Sequence, residues 1–232
     1  MSYNYYDHLA KTEQVQDSLD RAVVDSIIGH IQSLEKFRII DLPGMYILDF
    51  KTREYLFFFQ KRTTTGGIYS EDFLDGGLPF FFDNMHKEDL EVCMMKAFEM
   101  NMSYLKDIPY SRHNEYVFSL SFRHKKKQGG YTNFQHRNMY LQSSPDGLPL
   151  YSMGMAYVIP DVNTNHIEHT IEKNFGLFSL DQREIMYSRK YFVREDDRVL
   201  TDREKEIVKR MAEGHTSQQG PTTHQCSDRE KA

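Results

Sequence analysis

Residues 115–159 read EYVFSLSFRHKKKQGGYTNFQHRNMYLQSSPDGLPLYSMGMAYVI, and their alternation predicts three long β-strands joined by two short turns. In the first, Tyr116, Phe118, Leu120 and Phe122 alternate with Val117, Ser119, Ser121 and Arg123, the period of two that sends successive side chains to opposite faces. Lys125, Lys126, Lys127, Gln128, Gly129 and Gly130 make a polar, glycine-ended hairpin tip. Residues 131–142 then run extended until Ser143, Ser144, Pro145, Asp146 and Gly147 turn the chain again. In the third strand Tyr151, Met153, Met155, Tyr157 and Ile159 share one face, while Leu150, Ser152, Gly154, Ala156 and Val158 line the other. Apolar groups on both faces require cover on both sides.

Upstream, residues 45–49 and 54–60 are extended, with Phe50, Lys51, Thr52 and Arg53 as the turn, which brings the expected strands to five. Residues 61–85 lose periodicity around Thr63 to Gly67 and Asp75 to Pro79, so short helices and turns are expected there. Leu90, Cys93, Met94, Ala97, Phe98, Met102 and Leu105 then fall on one helical face, with Asp83 or Asn84 as the cap. Residues 7–36 form an amphipathic helical stretch in which Val15, Leu19, Ala22, Val23, Ile27, Ile31 and Leu34 make one stripe, weakened at Gly29, where a break between two helices is the alternative to a single helix. That stripe is expected to cover the outer face of the sheet, to dimerise, or both. Two strands, helices and a three-stranded meander predict an α+β fold: a five-stranded antiparallel sheet with helices on one face, an N-terminal helix and a C-terminal helical piece.

At 232 residues, with 39% hydrophobic and 13% aromatic side chains, the chain suits one medium domain with appendages and has material for a core. Cys93 and Cys226 have no CxxC spacing, residues 1–11 are polar, and no apolar run approaches the roughly 18 residues that cross a bilayer. A soluble, cytoplasmic protein is expected, without a membrane partner. A net charge of −5 argues against broad attraction to nucleic acid or anionic lipid.

Residues 43–160 resemble a PAS domain. PGMYILDFKTREYLFF is similar to the opening hairpin of that family, DNMHKEDLEVCMMKAFE to its histidine-acid stretch leading into a long helix, and RHNEYVFSLSFRHKKKQGGY to its returning strands. Lys87 stands where many relatives carry proline. The resemblance implies five strands curled around a pocket closed by the intervening helices, and with it a sensory role and a homodimer. Small-molecule binding in that pocket is implied with it.

Farther on, VLTDREKEIVKRMAEGHTSQQ carries a capping box, Thr201 with Glu204 three residues later, then an apolar stripe through Ile207, Val208 and Met211, and Gly214 as the stop. This string, with Arg203 in it, resembles the start of the LuxR-type helix-turn-helix domain. A PAS domain followed by that module resembles bacterial sensory transcription regulators. The match ends at Gly220 and Pro221, where the family continues into a recognition helix, and from Leu200 onward six basic residues meet six acidic ones. A truncated or frame-disrupted regulator is one expectation; an authentic ending in a stand-alone interaction module that never bound DNA is the other. DNA is expected as a partner only if the helix-turn-helix is completed in the native protein. The organisation expected is thus 1–42 N-terminal helical segment, 43–160 sensor, 161–199 connector, 200–219 start of the helix-turn-helix, and 220–232 a disordered tail. In the connector, Ile167, Ile171, Phe175, Leu177, Phe178 and Leu180 are too apolar for a free tether, and both helix and hairpin remain open.

Polar groups set among aromatic ones orient small ligands in such pockets. His136 and Asn138 share a strand face with Phe134 and Tyr140. With Phe58, Phe80, Tyr116 and Phe118 they are the expected pocket residues. The cofactor stays unknown: there is no flavin-cysteine signature, and His86 as a haem ligand is less convincing than His86 fixing a turn. Cys93 is expected as an inert core thiol. His113, His124, His166 and His169 are expected to face solvent rather than a metal. No activated nucleophile, phosphate loop or carboxylate pair argues for an enzyme.

Overall fold

The computed structural model describes residues 4–15, 21–35, 43–59, 70–159, 166–173 and 184–193. The chain divides into two units, Met1–Val193 and Arg194–Ala232. The helix-turn-helix-like string, with Thr201, Arg203, Glu204, Ile207 and Gly214, lies outside the described residues, as does the tail.

The fold is α+β, around one antiparallel sheet of seven strands rather than the five expected. The strands are β1 (Gly44–Asp49), β2 (Glu54–Phe59), β3 (Tyr116–Lys125), β4 (Tyr131–Ser143), β5 (Pro149–Ile159), β6 (His166–Lys173) and β7 (Glu184–Phe192), in the order β2-β1-β5-β4-β3-β6-β7. The two extra strands come from the expected connector, whose described part is a hairpin on the β3 edge. Ile167 and Ile171 are four apart and fit a helix or a strand alike, and His169 between them settles the period, because all three are buried on the strand. Arg137 on β4 reaches across β3 to Glu172 on β6 at 2.8 Å, both buried. The contact is diagonal, since Arg137 stands opposite Ser119 on β3 and Glu172 opposite Val117.

The two faces of the sheet belong to different layers. On the outer face Met45 and Ile47 of β1 lie beside Met155 and Met153 of β5, joined by Val117, and all are buried under Val24 and Ile31 of helix α2 (Arg21–Glu35). On the inner face Tyr46, Leu48, Phe118, Phe122, Phe134 and Tyr140 meet α1 (Tyr5–Thr12), α3 (Ser70–Asn84), α4 (Lys87–Glu91) and α5 (Phe98–Leu105). The N-terminal stretch is therefore two helices serving opposite faces, not one, and helices cover both sides. The break lies beyond Thr12, where the chain turns, while Gly29 sits inside α2. Val23 is exposed and Val24 takes its expected place in the core.

Helix α1 starts where its sequence permits. The Asn4 side chain accepts from the amides of Tyr6 and Asp7, and the Asp7 carboxylate accepts the Asn4 amide. Helix α3 is kinked at Gly77, whose φ of 58° needs glycine and whose position a side chain would drive into the Arg53 carbonyl. It runs through Asp83 and Asn84, so neither caps the next helix; His86, in extended conformation, occupies that position for α4. Between α4 and α5 the turns widen into a π-helical segment, Val92–Ala97. Asp89, almost fully buried, ties α4 to β3 by accepting the Arg123 amide at 2.6 Å and its guanidinium at 2.6 Å. No helix of the described residues is long and apolar enough to cross a membrane.

Candidate functional site

Inner-face packing is incomplete. Between the sheet and the helices a cavity of about 110 Å³ remains. Its floor is built by Tyr46 of β1, Leu120 and Phe122 of β3, His136 and Asn138 of β4 and Ser152 of β5; its roof by Phe73 and Phe81 of α3, Met94 of the π-helical segment, Phe98 and Asn101 of α5, with Tyr5 of α1 at one side. Around it the aromatic groups meet edge to face, as Phe81 and Phe122 do at 5.6 Å. The widened turns bring Cys93 and Met94 to this wall.

The polar groups on the floor are organised by a missing side chain. Tyr46, Gly154 and Asn138 occupy the same register position on β1, β5 and β4. A Cβ on Gly154 would meet the Tyr46 ring at 2.4 Å, so glycine lets the phenol lie flat across β5. The Tyr46 oxygen then reaches Nε2 of His136 at 2.6 Å, the two rings parallel within 3°. Burial pushes the His136 pKa down to about 4. Burial, with Tyr55 and Tyr140 nearby, holds the Tyr46 phenol well above its ordinary range against a lowering hydrogen bond from Ser152. Both partners are thus neutral near pH 7, and a single proton between the phenol oxygen and Nε2 makes the bond.

Asn138 differs from its neighbours. It retains accessible surface on the inner face of a central strand and makes no hydrogen bond through its side chain among the described residues. Its amide therefore offers both donor and acceptor to whatever fills the cavity. Asn101 lines the same space, but its Oδ1 is engaged by Nε2–H of His169 at 2.7 Å, an interaction that ties α5 to β6.

Of the residues expected at a pocket, Phe58, His136 and Asn138 line the cavity. Phe80, Tyr116 and Phe118 do not. Phe80 packs on Phe73 from behind, Tyr116 against Tyr104 at 5.5 Å, and Phe118 is fully buried beside Tyr140 at 5.1 Å. Strand parity gives the correct face for Tyr116 and Phe118, but not how far along the strand the cavity extends. Sequence reasoning missed Tyr46, Phe73, Asn101 and His124. A glycine in the middle of an otherwise apolar strand, at 154, was the available signal for Tyr46.

The histidines also need correction. His113, His124 and His169, expected in solvent, are 1%, 2% and 0% exposed. His113 bonds Ser143 at 2.8 Å. His124 lies on the cavity wall among Phe73, Phe81 and Phe134, its pKa driven to about 4 by burial against a raising contact to the Lys125 carbonyl. His169 is held near 4 by burial and by Arg189. Cys93 is buried, and burial raises its thiol pKa far above the ordinary range, so it is unreactive. His86 contributes its amide to the Arg123 carbonyl at 2.9 Å and its ring to the edge of Tyr131. Among the described residues no three His, Cys, Asp or Glu side chains gather as a metal site.

No protein-family model matches the sequence, and no curated protein matches it. Similar solved structures include the PAS-B domain of Cycle from Drosophila melanogaster with bound ethylene glycol, at 18% identity and a TM-score of 0.35, covering 50% of this chain and 99% of that one. A tryptophan-to-alanine variant of the same domain with bound glycerol aligns at 18% identity and a TM-score of 0.34 over the same shares of both chains.

Proposed function

We propose that the first unit is a cytoplasmic PAS-type sensor that detects a small molecule in its internal cavity and passes the state of that cavity to the rest of a transcription regulator of the LuxR type. The carrying observation is a cavity of about 110 Å³ whose wall is apolar except for a few neutral polar groups, one of them, Asn138, without a hydrogen-bond partner among the described residues. The sequence resemblance supports the PAS reading, together with the element order that it implies. Two strands, a helical crossover and a three-stranded meander enclose the cavity. The reading is of a receptor, because the polar groups that the described residues bring to the cavity are neutral hydrogen-bonding ones. Residues 200–214 support the LuxR-type output by sequence alone.

Native mass spectrometry of the purified chain, followed by thermal-shift screening of the emptied protein, tests the sensor. A mass excess released by acid, or stabilisation by small neutral compounds that is lost on filling the cavity with Ala156→Leu, is expected. A bare polypeptide mass together with no stabilising compound would end the reading. A second reading, a stand-alone interaction module that homodimerises without binding DNA, is favoured by Ile185, Met186 and Phe192, exposed on the edge strand β7. Gel-shift assays with promoter DNA, using this chain and one carrying a completed helix-turn-helix, separate the two.

A further inference from the structure

Resting on the sensory reading above, we infer that the cavity takes an uncharged molecule of about four to six non-hydrogen atoms bearing one hydroxyl or amide group, hydrogen-bonded to Asn138.

Size comes first. An apolar cavity of about 150 Å³ accommodates benzene, and this one is about 110 Å³. Macrocyclic and tricyclic cofactors are excluded by volume, and so are long acyl chains.

Charge comes second. Among the described residues no Asp, Glu, Lys or Arg lines the cavity. The titratable groups that face it from each packed element are Tyr5 of α1, Tyr46 of β1, Tyr55 of β2, Cys93 of the π-helical segment, His124 of β3, and His136 and Tyr140 of β4. Burial favours the neutral form of Tyr5, Tyr46, Tyr55, Cys93, His124 and His136 at neutral pH. An ion entering this space would lose its water and gain no counter-charge.

Polarity comes third. Tyr46 and His136 Nε2 are committed to each other and the Asn101 Oδ1 to His169, while His124 Nε2, buried without a hydrogen-bond partner, is packed among the rings of Phe73, Phe81 and Phe134. Asn138 is the floor residue left over. An amide that both donates and accepts matches a hydroxyl or a carboxamide. The absent side chain at 154, which admits Tyr46, places an aromatic wall one strand away from that amide.

The test uses the full chain at pH 7.5, shown ligand-free by mass, with methyl NMR of Met85 and Met94, both on the cavity wall. Xenon reports the space itself. Near-isosteric probes report the class: 1-butanol and butyramide against butyrate and butylammonium. Xenon is expected to shift both methyl signals, and butanol and butyramide to displace it at millimolar concentration. The charged probes are expected to leave it in place. Asn138→Leu is expected to weaken butanol binding roughly five- to tenfold with xenon unaffected, and to weaken it more than His124→Phe, which removes another unpartnered polar group of the wall. Entry of butyrate or butylammonium alongside butanol overturns the class, as does butanol binding that ignores Asn138→Leu or falls further with His124→Phe. Xenon that moves neither methyl overturns the cavity and the sensory reading with it.

Discussion

The outer and inner faces of this sheet are made from alternate residues of the same strands, yet beneath α2 the outer face closes in aliphatic contacts while the inner face keeps an aromatic-walled cavity. Met45, Ile47, Met153 and Met155 close against Val24 and Ile31 with flexible or branched aliphatic side chains. Tyr46, His136, Asn138 and Ser152, one residue along in each strand, leave a space between themselves and a roof of phenylalanines. Unbranched methionines adapt to fill gaps; rings fixed by hydrogen bonds cannot. The difference teaches that the cavity is built by rigid polar anchoring, with Tyr46 held on His136 and Asn101 on His169, and not by any shortage of apolar material.

The largest effect should separate the faces by pH. His8, His124, His136 and His169 all lie on the inner side, with pKa values lowered to about 3, 4, 4 and 4, burial being the first cause in each. Each contributes stability that is fully present above the unfolded value near 6.5 and is lost as pH falls from there toward 4. Each ring removes of the order of 2 kcal/mol by pH 5. Urea titrations at pH 7.5 and 5.0 should show a steep loss, and His136→Phe should flatten it. A stability indifferent to pH across this window would break the contrast.

Next, Ile47→Ala on the solid face should cost about 3–4 kcal/mol, whereas Leu120→Ala beside the cavity should cost about 2 kcal/mol, because Leu120 already has open space on one side. Equal costs from denaturant midpoints would mean that the inner face is as closely packed as the outer.

Gly154→Ala should be destabilised by about 1–3 kcal/mol, since the new methyl group must push the Tyr46 ring aside. The His136 ring signals in NMR should shift as the 2.6 Å contact breaks. Smallest, Tyr46→Phe should lose about 1 kcal/mol by leaving His136 Nε2 without its hydrogen-bond partner, an effect that chemical denaturation of the pair Tyr46→Phe and His136→Phe, singly and combined, should show to be non-additive.

The central meander was legible because both faces obey a period of two over long runs, and β3, β4 and β5 fall where residues 115–159 foretell them. The hairpin β6–β7 was not. Ile167 and Ile171 satisfy either period, and β7 is mostly exposed, so it lacks a buried face to read. Helices α1 and α2 merged into one expected stripe because an amphipathic pattern records that a face is buried, not which side of a sheet buries it. At the site, His136 and Asn138 were legible from their shared face, but the Tyr46–His136 pair spans 90 residues and depends on an absent Cβ at 154. The buried histidines were misread because a histidine among charged neighbours, such as His124 beside Arg123 and Lys125, looks solvated until the strand's inward side is known.

The most direct measurement of the hollow inner face is a crystal structure of the protein pressurised with xenon. A xenon atom should appear bounded by Leu120, Met94 and Phe98, with Tyr46 still hydrogen-bonded to His136 across Gly154. An inner face closed to the same density as the outer one, with no xenon between sheet and helices, would contradict the account.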